Sequence, residues 1–143
     1  MPPSAIHFFS EDTSFKLKQK IHIRKWVKNT IEEENRRLSE INFIFCSDAH
    51  LLSINQQYLH HNTYTDIITF DNSSENGQIA GDIFISIERV RDNALSYNVS
   101  EKDELHRVMI HGTLHLLGYP DKGKVAKMVM TSKENYYLLK RLE

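Results

Sequence analysis

The sequence predicts an α+β domain: about four strands in a mixed sheet, packed with about five helices. Three observations lead there. Strand-like and helix-like segments follow one another without the strict alternation of a βαβα chain. The 143 residues, 40% hydrophobic and 26% charged, suit one globular domain spanning 1–143. The chain contains no internal repeat, low-complexity tract or linker-like stretch.

The elements read as follows. Ile6 to Phe9 is a short strand. Lys18 to Arg37 is an amphipathic helix, with Ile23, Trp26, Val27 and Ile31 near helical spacing. Glu40 to Cys46 is a strand apolar on both faces, hence central in the sheet. Ser47 or Asp48 caps a helix reaching Tyr58, with Leu51, Leu52, Ile54 and Tyr58 as its inner stripe. Thr65 to Phe70 is a strand rich in β-branched residues. Asp71 to Gln78 is a polar turn containing Gly77. Ile79 to Ile87 is a strand, followed by a helix over Glu88 to Tyr97. Ser100-Glu101-Lys102-Asp103 is a capping-box pattern that opens a long helix ending at Gly118. A last helix covers Lys124 to Leu142, with Val125, Met128, Val129, Tyr136 and Leu139 available for packing.

Composition narrows the function classes. Cys46 is the only cysteine, so an internal disulfide is excluded, and its apolar surroundings mark a buried, inert thiol suited to a reducing cytoplasm. The sequence shows no signal-peptide pattern and no apolar run of membrane-spanning length. The formal net charge is −1, but charge is segregated. Residues 16–37 carry eight Lys/Arg against three Glu, and residues 122–143 carry six against two. Residues 62–104 hold nine Asp/Glu against three Lys/Arg. The two basic segments are either one phosphate-following patch or two solvated helix faces.

The stretch His111 to Asp121 carries the chemistry. His111 and His115, four apart, stack on one helix face. Gly118 lets the chain leave the helix through a left-handed conformation, and Pro120 keeps it from resuming. The chain can then swing back and turn Asp121 toward both imidazoles. Two His nitrogens and a carboxylate oxygen suit zinc with one position open. The pattern is that of H-E-x-x-H-x-x-G-x-x-H metalloproteases, with Gly112 for the general-base Glu and Asp121 for the third His. Lacking that Glu, the chain is poorly equipped for peptidase chemistry.

The same run resembles the H-G-x-L-H-L-x-G-Y-D-H signature of the YbeY family, bacterial rRNA maturation factors and single-strand-specific endoribonucleases. Three further blocks agree in order: Leu52 to Tyr58 with L-x-x-L-N-x-x-Y, Thr65 to Phe70 with T-D-V-L-S-F, and Ala80 to Ser86 with G-D-I-x-I-S. Glu104-Leu105 then precedes the His111 block, and the match spans about residues 41–140. The resemblance implies a zinc-binding α+β fold, a bacterial cytoplasmic setting, and a metal-dependent endoribonuclease acting on ribosomal RNA with the small ribosomal subunit as partner. It carries two zinc ligands onto His111 and His115; the third falls on Asp121, a departure from His that either weakens affinity or shifts metal preference toward harder ions. Leu59 stands where the family usually has an Arg linked to activity.

Around that core, several residues keep two readings. His60 and His61 are candidate proton donors or phosphate contacts, or a solvated helix end. Lys122 and Lys124 follow the third ligand and are candidate RNA contacts. Asp66 and Asp82 either orient a ligating imidazole or cap turns and strand ends. Tyr119 either stacks on a base or packs. Thr113, Leu114, Leu116 and Leu117 read as packing residues. Besides the nuclease, two functions remain open: a non-catalytic ribosome-assembly factor with a structural zinc, and a metallopeptidase, which only the ligand spacing favours.

Overall fold

The structure, a computed structural model, describes residues 5–61, 64–73 and 77–141. In chain order these form β1 (Ile6–Ser10), α1 (Lys20–Glu33), β2 (Arg37–Cys46), α2 (Asp48–Leu59), β3 (Ile67–Asp71), β4 (Gln78–Ser86), α3 (Ile87–Tyr97), α4 (Glu101–Leu116) and α5 (Lys124–Lys140). The strands make one mixed sheet in the order β1-β2-β4-β3. β1, β2 and β4 run parallel, and β3 lies antiparallel to β4 at one edge. The α+β expectation of four strands and five helices holds.

β2 is central because both its faces are apolar. Ile41, Phe43 and Phe45 join Ile79, Ile83 and Ile85 of β4 in a large core that α1, α4 and α5 cover. On the opposite face Cys46 joins Ile68, Leu51 and Ile54, with Phe70 and Phe84 packed alongside. α2 therefore covers that second face. Cys46 is fully buried, and burial first, then nearby acidic groups, push its thiol up to about 12. It is the inert thiol the sequence suggests.

Serine hydroxyls start three helices. Ser47, Ser86 and Ser100 accept hydrogen bonds from the backbone N–H groups of His50, Arg89 and Asp103. Ser47, not Asp48, caps α2; Asp48 instead receives Ser86 and Arg89 at 2.7 Å each.

Three readings of the sequence need correction. α1 ends at Glu33, not Arg37, because Asn35 adopts a left-handed conformation (φ 62). The Asn35 and Arg36 amides bond back to Glu32 and Ile31, which closes the helix and frees Arg37 to begin β2. On α5 the side chains proposed for packing face outward: Val125 is 74% exposed and Leu139 81%. The buried residues are Met130, Glu134 and Tyr137, at i, i+4 and i+7. α2 likewise buries Leu51, Ile54 and Asn55 and leaves Tyr58 exposed.

Helix α4 sits very close to the sheet. A Cβ on Gly81 of β4 would lie 2.6 Å from the Phe70 carbonyl oxygen and 2.7 Å from Leu116 of α4. A Cβ on Gly112 would lie 2.9 Å from both Ile67 and Ile83. Gly81→Ala should therefore destabilise by about 3 kcal/mol or more, since a backbone oxygen cannot step aside, and Gly112→Ala by about 1–3 kcal/mol. Urea midpoints check both values, and a near-neutral Gly81→Ala would contradict the close seating.

His106 of α4 gives a pH signature. It is 6% exposed, packs on Trp26 at 5.8 Å, and lies 2.9 Å from an Arg141 guanidinium nitrogen through Nδ1. Burial first, then the Arg141 charge, lowers its pKa to about 4. Above about pH 6.5 the imidazole is neutral folded and unfolded; between about 6.5 and 4 only the unfolded chain takes up the proton. This contribution is complete above the unfolded pKa and fades as pH falls to the folded one, by roughly 3 kcal/mol. In His106→Gln the fall in stability between those limits should be shallower than in wild type by about that amount. Parallel stability–pH curves would refute it.

Candidate metal centre

α4 presents His111 and His115 on one face, and the chain turns back just beyond them. Gly118 adopts φ 101, its amide bonds to the His115 carbonyl at 3.0 Å, and the Tyr119 amide bonds to Leu114 at 3.1 Å. This is the Schellman closure that Gly118 suggests in sequence. The Tyr119 hydroxyl donates to Glu34 Oε1 at 2.5 Å, and Glu34 also receives the Tyr137 hydroxyl and Lys133 Nζ. Burial works against this carboxylate, but the three donors outweigh it and hold its pKa below the usual range. The loop is thus moored to the end of α1 and to α5 immediately before Asp121. Tyr119 has the packing role, not a place in the cleft.

Asp121 Oδ2 comes to 3.2 Å from His111 Nε2 and 3.1 Å from His115 Nε2. The three residues offer ligand atoms within 4.8 Å of one another and could hold a metal ion. Two ligand atoms roughly 3.3 Å apart are what a tetrahedral ion at about 2.0 Å from each requires.

A residue missed by sequence reasoning completes the centre. Glu134 of α5, 7% exposed, places Oε2 2.5 Å from His111 Nδ1. An ionised carboxylate only accepts, so Nδ1 carries the hydrogen. A neutral His111 then turns a lone pair, not a hydrogen, toward Asp121. A cation, either a proton or a metal ion, must sit between them. Burial opposes charge on His111, yet Glu134, then Asp121, raise its pKa. Burial likewise opposes charge on Asp121, while His115, then His111, keep its pKa below the usual range. Glu134 Oε1 accepts from Arg107 Nη1 at 2.8 Å, and Arg107 Nη2 donates to Asn135 at 2.7 Å. The one signal for Glu134 was its place inside the Met130–Tyr137 stripe, where a lone acid implies a buried partner.

The centre opens into a cleft of about 900 Å³, bounded by Thr65, Asp66 and Ile67 before and within β3, the Glu104–His115 face of α4, and Glu134 to Leu139 of α5. Asp66 lines this cleft, and burial raises its pKa. Asp82 does not: it accepts from Asn42 at 2.9 Å on the sheet face opposite Gly81 and α4. The exposed His60 takes a left-handed conformation after α2 (φ 57); neither it, nor the exposed His61, nor Leu59 lines the cleft. Lys122 and Lys124 are exposed beside Asp121 and outside the lining. α1 and α5 touch through the Trp26 indole on the Tyr137 carbonyl at 2.8 Å and Lys140 on Glu33 at 3.0 Å. The two basic segments are therefore neighbours, although Lys133 and Lys140 are engaged with Glu34 and Glu33.

A mixed sheet with three converged side chains at a cleft between a glycine-seated helix and a C-terminal helix defines a class of α+β proteins able to hold a metal. The chain belongs to the endoribonuclease YbeY family, whose model matches residues 6–142. It is 51% identical over 135 residues to the endoribonuclease YbeY of Cytophaga hutchinsonii, covering 94% of each chain. It is 48% identical to that of Amoebophilus asiaticus, covering 97% of this chain and 95% of the relative. A solution structure from Thermotoga maritima superposes with a TM-score of 0.66 at 26% identity, over 95% of this chain and 88% of the other.

Because Glu134 fixes the His111 ring and tautomer, Glu134→Gln should weaken binding of added zinc by about 10–100-fold. Competition with a chromogenic chelator measures this. Unchanged affinity would mean that the carboxylate does not support the ligand.

Proposed function

We propose that this chain is a metal-dependent, single-strand endoribonuclease that acts as one domain in ribosomal RNA maturation and small-subunit quality control. The observation that carries it is the convergence of His111, His115 and Asp121 at an open cleft, in a chain of the endoribonuclease YbeY family. Zinc suits the two-nitrogen, one-oxygen set, and the carboxylate also admits harder ions. A bound ion would polarise a phosphoryl oxygen or lower the pKa of a water. The chain's own residues do the rest. Glu134 holds the His111 ring, and the Tyr119–Glu34 mooring holds the Asp121 loop. Lys122 and Lys124, exposed beside the third ligand, meet the phosphate backbone. A recessed centre admits an unstacked strand more readily than a duplex. No helix among the described residues is long and apolar enough to cross a membrane, in keeping with work on ribosomal RNA in the cytoplasm.

One observation favours the assembly-factor reading. The His111–Glu134 bond ties α4 to α5, so an ion there would also stiffen the fold. The peptidase reading is weakened further, since the position beside His111 faces Ile67 and Ile83 rather than the cleft, and only the ligand spacing still favours it.

Labelled single-stranded RNA should be cut by zinc-loaded protein and spared after chelation. His115→Ala should retain most RNA binding and lose cleavage. Equal cleavage by wild type and His115→Ala would assign the activity to a contaminant. Changing Lys122 and Lys124 together to Glu should weaken binding and flatten its salt dependence by about 0.7 log units per lost phosphate contact. Unchanged affinity would make them a solvated face.

A further inference from the structure

Arg107 lies one turn before His111 on the same face of α4 and lines the same cleft. Its side chain is 36% exposed although two of its nitrogens are engaged, Nη1 by Glu134 and Nη2 by Asn135. Its other N–H donors have no protein partner among the described residues. The cleft is otherwise poor in positive charge. Asp66, Asp103, Glu104, Asp121 and Glu134 all line it, and the other lining cation, Arg141, is only 19% exposed and bonded to Asp103 and His106. A polyanion entering this cleft meets one accessible guanidinium, and it sits beside the three-ligand centre.

We propose that Arg107 binds a phosphate of the substrate strand next to the metal centre, with Glu134 and Asn135 holding its guanidinium in place. The proposal rests on the endoribonuclease reading above. Glu134 bridges Arg107 and His111 through its two oxygens, so phosphate contact and metal ligand share one buried carboxylate. A planar guanidinium with two nitrogens fixed is pre-organised and loses little freedom on gripping an anion. Lysine would keep the charge and lose the fork.

The test uses zinc-loaded full-length protein and a fluorescein-labelled single-stranded RNA that resists cleavage through 2′-O-methyl sugars and phosphorothioate linkages. Anisotropy is read across a salt series, zinc affinity by chelator competition, and KM and kcat on unmodified RNA. Arg107→Gln should weaken RNA binding about tenfold or more, raise KM, and reduce the salt slope by about 0.7, while zinc affinity stays at the wild-type value. Arg107→Lys should keep the salt slope and recover only part of the affinity. Glu134→Gln should instead lower zinc affinity. Wild-type RNA affinity and salt slope in Arg107→Gln, with wild-type protein binding and cutting RNA, would overturn the Arg107 proposal alone. So would a loss of zinc affinity with an unchanged salt slope, which would make Arg107 a buttress of Glu134. Wild-type protein that neither binds nor cuts RNA would overturn the endoribonuclease reading and this proposal together.

Discussion

The close seating of α4 on β3 and β4 is the constraint on which the rest depends. Gly81 and Gly112 remove the two Cβ atoms that would hold the helix off the sheet, so Leu116 and the helix backbone come down onto the strands. With Gly112 turned to Ile67 and Ile83, the helical period turns His111 and His115 to the side, toward the start of β3 and the cleft. The same constraint settles why a glycine stands where a peptidase has its catalytic Glu. A side chain there would enter the core rather than reach a metal-bound water. What reaches the His pair from outside α4 comes from α5, whose Glu134 bonds His111.

What the sequence made legible is what local geometry dictates. The His pair, the Gly118 exit and the return of Asp121 lie within eleven residues, and each step follows from helix period or backbone dihedral preference. The two-sided apolar run of β2 and the serine caps of α2 and α4 are readable for the same reason. The illegible parts join segments far apart in the chain. Glu134 meets His111 across 23 residues and Glu34 meets Tyr119 across 85, and no spacing rule connects them. α5 misleads more directly. Its apolar residues Val125, Met128 and Leu139 are exposed, while the stripe it buries is interrupted by the acid that bonds His111. Counting apolar residues selects the wrong face when the right one carries a buried, paired charge. The end of α1 was misplaced for a smaller reason: Asn35 does there what Gly118 does for α4, but asparagine announces a left-handed stop less clearly than glycine.

Electrostatics binds these parts together. Five carboxylates line the cleft against two arginines, an arrangement that by itself would repel nucleic acid. Two features soften it. Burial raises the pKa values of Asp66 and Glu104, which favours their neutral forms, and the Asp66 charge raises that of Glu104 further. Asp121 and Glu134 point their charge at the imidazoles of His115 and His111, so their field is directed at the centre rather than at the opening. A divalent ion among His111, His115 and Asp121 would reverse the sign of the local field just where a phosphate has to arrive. On this account the acidic lining does not argue against a polyanionic substrate. An ion there would favour phosphate at the centre itself, whereas holding the rest of the strand through cations outside the ligand set would not require it.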